Sequence, residues 1–404
     1  MSRAGPRPRD KPRVARKPSV CPMTTTWTNF RAGHGSSRYA RRGVRATVLA
    51  TVTMVTLLFV APSVGAVHPR SFTVVSPFTV GIRRCTFVDL SRHVLNYSTT
   101  PPSILALHRT LVTEIRYPAQ LTSGGSGEVA GAAAVPRTGG YPLIVFAHGY
   151  DVTPDTYAPL LDAWTRAGFV VASPFLPDEQ PTAIAAQRGA DTEKDLANEP
   201  ADLAFVTRQI LQASASPMTA CPVVSGLVLG TRVALAGHSD GANAVALLAF
   251  GLGRDPHGTA FASLRAGIGY RAVVILSGDE LTGQPYGTVS GRPNLLVVHS
   301  LSDRCNPIHY GVKLYNAIQQ PNKWFLELQS AHHLPPFDGA DAVAFRAVAG
   351  ISSRFLQISL ADAVFPTRFL VYANQQPSIA RLSTGGTGPS LVNAPKLVEY
   401  CGFN

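Results

Sequence analysis

Between Arg232 and Phe250 the chain reads RVALAGHSDGANAVALLAF, which sets Ser239 between Gly237 and Gly241 at G-x-S-x-G spacing. An apolar run enters this stretch, and alanines, leucines and a phenylalanine leave it at helical spacing. A strand that turns sharply into a helix exposes the serine hydroxyl at the turn, and only very small neighbours fit beside it. The helix then directs its N-terminus at the serine and favours developing negative charge there. In this arrangement the backbone N–H of Asp240 becomes a donor to an oxyanion, with the Asp240 side chain pointing elsewhere. The chemistry so implied is nucleophilic attack on an acyl carbon.

A serine hydroxyl needs a base, and the base needs an acid to orient it. In this strand–helix order the partners follow the serine, acid first. Asp303, in NLLVVHSLSDRCNPIHY, lies 64 residues after Ser239 just past an apolar run and takes the acid role; Asp279, after AVVILSG, is the rival. His333, in LELQSAHHLPPF, lies 30 residues further on and takes the base role, with His332 as the alternative. His299 and His309 read as structural. A second oxyanion donor belongs in the loop after PLIVFA, where His148-Gly149-Tyr150 follows. Gly149 permits a sharp turn that lets the N–H of Tyr150 face the reacting carbonyl, and the Tyr150 ring then walls the acyl site.

These residues depend on a scaffold. FTVGIRRCTFVDLSR (78–92) and RTLVTEIRYPA (109–119) read as early strands, and 122–141 as a small-residue loop. The runs 142–149, 169–177, 232–237, 272–278, 294–300 and 323–329 have apolar cores without polar alternation, as strands buried on both faces do, and 323–329 reads as the last of them. Helical patterns at 156–168, 198–212 and after Ser239 lie between them. The order predicts an α/β fold: a mostly parallel twisted sheet with helices on both faces and ligands at the carboxyl ends of the strands. The loops 120–140, 178–197 and 281–292 shape the pocket without declaring a substrate.

The formal net charge of +12 is carried by the leader. Residues 1–45 hold 12 Lys/Arg and one acid, whereas the rest has 24 Lys/Arg against 23 Asp/Glu, which argues against a nucleic-acid partner. After RYARRGVR comes the uncharged ATVLATVTMVTLLFVAPSVGAV, Ala46 to Val67. A basic flank, an apolar core and a small-residue exit at Val64-Gly65-Ala66 read as an export signal within residues 1–66, ahead of one catalytic domain over 67–404. An uncleaved anchor is the alternative, giving cell-envelope or membrane association through the N-terminal segment; threonines and Pro62 weaken it. Cys85, Cys221, Cys305 and Cys401 beyond the leader permit two disulfides in three pairings, which agrees with secretion. Without CxxC spacing or a histidine cluster they do not read as a metal site.

The stretches FVDLSR, TEIRYPA, PLIVFAHGY, NEPADLAFV, AGHSDGA, LLVVHSLSD and AHHLPPF together resemble the α/β-hydrolase group that contains platelet-activating-factor acetylhydrolase-like, chlorophyllase-like and dienelactone-hydrolase-like serine esterases. The resemblance spans about residues 75–360. It implies the α/β-hydrolase fold and a Ser-Asp-His triad on Ser239, Asp303 and His333, with the N–H groups of Tyr150 and Asp240 as the oxyanion hole. It further implies an acyl-enzyme, no cofactor and a small-molecule or lipid ester substrate. Lipase, cutinase or polyester hydrolase action, and acyl transfer in the cell envelope, use the same triad. The chain departs from the group at SAHH, where GADH or GAGH is usual, so two histidines compete for the base. It departs again at Cys305, where a disulfide would stiffen the acid loop.

Overall fold

The structure, a computed structural model, describes residues 78–120, 127–216, 220–279, 283–289, 291, 293–391, 394–395 and 401. These residues fall within one compact unit, Ala66–Asn404. The export-signal, anchor and leader readings concern residues outside the described ones. No helix among the described residues is long and apolar enough to cross a membrane.

Twelve strands occur among the described residues: β1 (Thr79–Asp89), β2 (Val94–Asn96), β3 (Ser103–Ala106), β4 (Arg109–Ala119), β5 (Glu128–Ala130), β6 (Tyr141–Ala147), β7 (Val170–Pro174), β8 (Val228–His238), β9 (Tyr270–Leu276), β10 (Asn294–Ser300), β11 (Lys323–Leu328) and β12 (Ala380–Thr384). The helices are α1 (Ala158–Arg166), α2 (Pro181–Ala186), α3 (Glu199–Ala215), α4 (Asp240–Phe250), α5 (Phe261–Arg265), α6 (Ile308–Ala317), α7 (Pro335–Asp338), α8 (Ala342–Leu360) and α9 (Thr367–Ala373). Ten strands form one sheet in the order β12-β11-β10-β9-β8-β6-β7-β4-β1-β5, and β2 with β3 forms a separate hairpin. From β11 to β7 every neighbour pair is parallel. The pairs β7–β4, β4–β1 and β11–β12 are antiparallel.

The apolar runs follow from burial on both faces. Because side chains alternate along a strand, Leu143, Val145, Val233, Leu235, Val273 and Ile275 enter one core beneath α3, α4 and α6. Their neighbours Ile144, Phe146, Ala234, Ala236, Val274 and Leu276 enter the other, beneath α1, α7 and α8. Each fully buried Val, Leu or Ile is worth roughly 1.5–3 kcal/mol over an exposed one, so these central strands are firmly anchored on both faces.

The segment 178–197, read as a loop, carries α2 and a 3-10 helix over Thr192–Asn198, and among the strands three features depart from the sequence reading. The strand at 323–329 is not the last, because β12 adds antiparallel to it. Its ARLST pattern is short and half-exposed, which leaves little apolar signal. The segment 122–141 is not all loop: β5 pairs parallel with β1 at the sheet edge over three residues, too few to carry a pattern. The β2–β3 hairpin was not foreseen. Ile104, Leu105 and Leu107 on and beside it are exposed, so its apolar residues do not mark a buried face. Two disulfides, Cys85–Cys221 and Cys305–Cys401, resolve the three pairings open in the sequence.

Candidate active site

The carboxyl ends of β6, β8, β10 and β11 lead directly into Tyr150, Ser239, Asp303 and His333. Ser239 has φ 53° and ψ −121°, a conformation that costs a non-glycine residue on the order of 1–3 kcal/mol. The surroundings hold it there. Its N–H donates to the Leu276 carbonyl at 3.0 Å, and its carbonyl accepts from the N–H groups of Ala242 and Asn243 at 3.0 and 3.2 Å. The glycines are required by close backbone approach. A Cβ on Gly237 would sit 2.3 Å from the Gly241 oxygen, and one on Gly241 would sit 2.3 Å from the His148 oxygen.

The His333 Nε2 lies 3.0 Å from the Ser239 Oγ, and its Nδ1 lies 2.9 Å from the Asp303 Oδ2. A carboxylate can only accept, so Nδ1 carries the proton and Nε2 is left to accept from the serine hydroxyl. The second oxygen of Asp303 accepts from the backbone N–H groups of Cys305 and Asn306 at 3.0 and 2.9 Å. Burial works to raise the Asp303 carboxyl, but the hydrogen bond and charge of His333, helped by His299 and the Asn306 N–H, hold it below the usual carboxylate value. His299, fully buried, donates from Nε2 to the Asn306 carbonyl at 2.6 Å and so packs the acid loop from behind. The alternates lie elsewhere. His332 is exposed, and Asp279 follows β9, where its backbone N–H donates to the Asn243 side chain at 2.7 Å. His309 is exposed and stacks on Tyr310.

Among the described residues neither the N–H of Tyr150 nor that of Asp240 is paired within the protein. The peptide that carries the Tyr150 N–H is held through its other end. The Leu176 N–H donates to the His148 Nε2 at 3.0 Å, so the His148 proton is on Nδ1, which donates to the Gly149 carbonyl at 2.8 Å. Because a peptide group is planar, fixing that carbonyl fixes the direction of the Tyr150 N–H. Burial pushes His148 down to about 4, so the ring stays neutral in this role. The Tyr150 hydroxyl is bonded to Thr192 at 3.1 Å, tying its ring to the 178–197 segment. A cavity of about 320 Å³ lies over Ser239, walled by Tyr150, Val152, Leu334, Glu193 and the Cys305–Cys401 disulfide. That is the low end of small-ligand pockets.

Sequence reasoning missed the buried acids that neighbour Asp240. Glu179 and Glu199 are fully buried, and no hydrogen-bond partner is found for their carboxyl oxygens among the described residues. Burial pushes both well above the ordinary glutamate value, Asp240 adding to the effect on Glu179, and Glu179 and Asp240 adding to that on Glu199. Asp240 itself is pushed up to about 7, by burial first and by Glu193 next. A carboxyl near neutrality here places less negative charge beside the adjacent N–H. The Glu179 carbonyl also accepts the Asp151 N–H at 2.9 Å, bracing the loop after Tyr150. Paired acids in NEPADL and LPDEQ were the available signal, and they were indistinguishable from surface charge without the fold.

The sheet order, the strained serine turn and the crossing helices define an α/β-hydrolase fold, and the sequence resemblance is met at this level. A model of the chlorophyllase family matches residues 132–270, about a third of the chain, running from before β6 to the start of β9. Among solved structures the chain is similar to the ferulic acid esterase from Streptomyces cinnamoneus, with a TM-score of 0.52 and 17% identity over 72% of this chain and 92% of that one. At that identity the likeness is one of fold. Structural matches extend to 898 chains, so activity must be argued from the site and not from the fold. No curated protein matches the chain. The chain thus shares the α/β-hydrolase fold, and its segment 132–270 is similar to the chlorophyllase family.

Proposed function

We propose that the chain is a serine-dependent carboxylic ester hydrolase. Ser239 attacks the ester carbonyl while His333 takes its proton at Nε2, and Asp303 holds the imidazole and balances its charge. The N–H groups of Tyr150 and Asp240 receive the oxyanion, aided by the N-terminus of α4. His333 then returns the proton to the departing alcohol, and water activated the same way releases the acid. This chemistry calls on no metal or cofactor. The observation that carries the reading is the unbroken Asp303–His333–Ser239 hydrogen-bond chain below an accessible cavity. A cavity near 320 Å³ favours a small-molecule or lipid ester with a short acyl group. The two disulfides support an exported, oxidising setting.

The test is Ser239→Ala assayed on p-nitrophenyl esters, with fluorophosphonate labelling of the parent. Loss of turnover in a folded variant, and a label on Ser239, are expected. Turnover retained by the variant refutes the assignment. A second reading, in which the ester is an insoluble lipid or polyester, draws on the exposed Leu90, Ile104, Leu105 and Leu107. A rate on emulsified ester above that on the soluble homologue favours it.

A further inference from the structure

His238, immediately before Ser239, is a buried titratable group that the proposed chemistry does not use. Its Nε2 lies 3.1 Å from the carbonyl oxygen of His333. A carbonyl only accepts, so Nε2 carries the proton and Nδ1 is left as an acceptor. The Tyr157 hydroxyl, 2.7 Å from that Nδ1, must therefore donate to it. The same oxygen accepts the Gly149 N–H at 3.2 Å. Every proton in this chain is thus assigned: Gly149 N–H to Tyr157, Tyr157 O–H to His238, and His238 Nε2–H to the His333 carbonyl. One end holds the loop that presents the Tyr150 N–H, and the other holds the backbone of the base.

Rings clamp the relay from both sides. His238 lies 4.5 Å from the His333 ring and 4.8 Å from Phe337, centroid to centroid, and Tyr157 lies 4.9 Å from Phe146. A Cβ on Gly149 would come within 3.3 Å of the His238 Nδ1, so the loop and the ring are in close register.

We propose that His238 and Tyr157 are positioning residues that couple the oxyanion loop to the base, so that the Tyr150 N–H and the His333 imidazole are set by one rigid connection. The inference rests on the esterase reading. It also explains why His238 stays neutral beside a base that becomes charged. A second proton could enter only at Nδ1, where it would displace the Tyr157 hydroxyl and set two cations 4.5 Å apart. The charged and titratable groups acting on His238 are His333, Asp303 and His299. Burial and the nearness of His333 outweigh the attraction of Asp303.

The experiment compares Tyr157→Phe, His238→Phe, His238→Asn and the Tyr157→Phe/His238→Phe double variant with the parent on a soluble p-nitrophenyl ester. Small displacements of a donor or base cost on the order of 10–100-fold. Tyr157→Phe and His238→Phe are expected to lower kcat by that amount with KM within about twofold. His238→Asn, whose amide oxygen can still accept from Tyr157, is expected to recover part of the loss. The double variant is expected to be no slower than the worse single one, because both break the same connection. Variants that fold and keep kcat within threefold of the parent overturn the proposal, as do losses that multiply in the double variant. A His238→Phe that fails to fold leaves Tyr157→Phe, which removes one hydroxyl, to decide. If the parent itself neither turns over esters nor labels at Ser239, the esterase reading falls. An active parent with indifferent variants overturns only the relay.

Discussion

Asp303→Asn separates an orienting acid from a merely structural one, and the structure says which way the amide must face. Asp303 uses its oxygens differently: Oδ2 accepts one N–H from His333, while Oδ1 accepts two from Cys305 and Asn306. An asparagine has one oxygen and one NH2 group to place. Turning the NH2 toward the loop sacrifices two hydrogen bonds, about 1–3 kcal/mol together at the usual net value, and opposes donors to donors. Turning it toward His333 requires only that the imidazole move its proton from Nδ1 to Nε2. The second orientation is favoured, and it leaves an N–H directed at the Ser239 hydroxyl where an acceptor is needed. We expect kcat to fall by about 10³–10⁴, as when a triad acid becomes an amide, or about 4–5.5 kcal/mol at 1.36 kcal/mol per decade. The assay is steady-state hydrolysis of p-nitrophenyl acetate by protein whose fold is checked by circular dichroism. Asp279→Asn serves as the control and should stay within about threefold of the parent. A loss below tenfold in folded Asp303→Asn, or an equal loss in Asp279→Asn, refutes the reasoning.

His333→Ala should cost several orders of magnitude in kcat, whereas His332→Ala, at an exposed position, should change it less than threefold; the opposite ranking would move the base. Burial, with Glu179 and Asp240 nearby, holds the Glu199 carboxyl well above its ordinary value of 4.5, so just above that value the native state keeps a proton that the unfolded state has released. Stability conferred by the protonated group is therefore lost as pH rises above that value. Glu199→Gln should gain stability relative to the parent between pH 5 and pH 8, by at most about 1.4 kcal/mol per pH unit. Urea unfolding at the two pH values measures this, and a gap that does not widen with pH contradicts it.

The parallel sheet and the points at which it delivers Tyr150, Ser239, Asp303 and His333 were legible because each rests on a strong local pattern. Apolar runs without polar alternation mark strands buried on both faces, and the polar residue after each run marks the ligand end. Which of two adjacent histidines turns inward was less legible. His332 and His333 share a loop after β11, and only the packed fold exposes one while directing the other at Ser239. The edge strands β5 and β12 escaped because three to five half-exposed residues carry almost no periodic signal. Disulfide pairing escaped for a different reason. Cys85 and Cys221 are 136 residues apart, and Cys305 and Cys401 are 96 apart, distances that only the sheet closes.

Buried histidines were the least legible part, and under the proposed function they bear on which histidine serves as the base. His148, His238, His299 and His333 all lie around the site, yet their hydrogen bonds differ in what a further proton would break. On His148 the acceptor nitrogen already receives the Leu176 N–H, and on His238 it receives the Tyr157 hydroxyl. His299 is fully buried, and no partner is found for its Nδ1 among the described residues to share a proton. Burial lowers all three below the ordinary histidine value, and the protons they already hold are committed to carbonyls. His333 has the Asp303 carboxylate at Nδ1 and the Ser239 hydroxyl at Nε2, so in the proposed reaction accepting the serine proton costs it no existing partner and brings its charge against Asp303. On the proposed reading the neutral histidines do more than fill space: with their protons already committed, they leave His333 as the place for the serine proton to go.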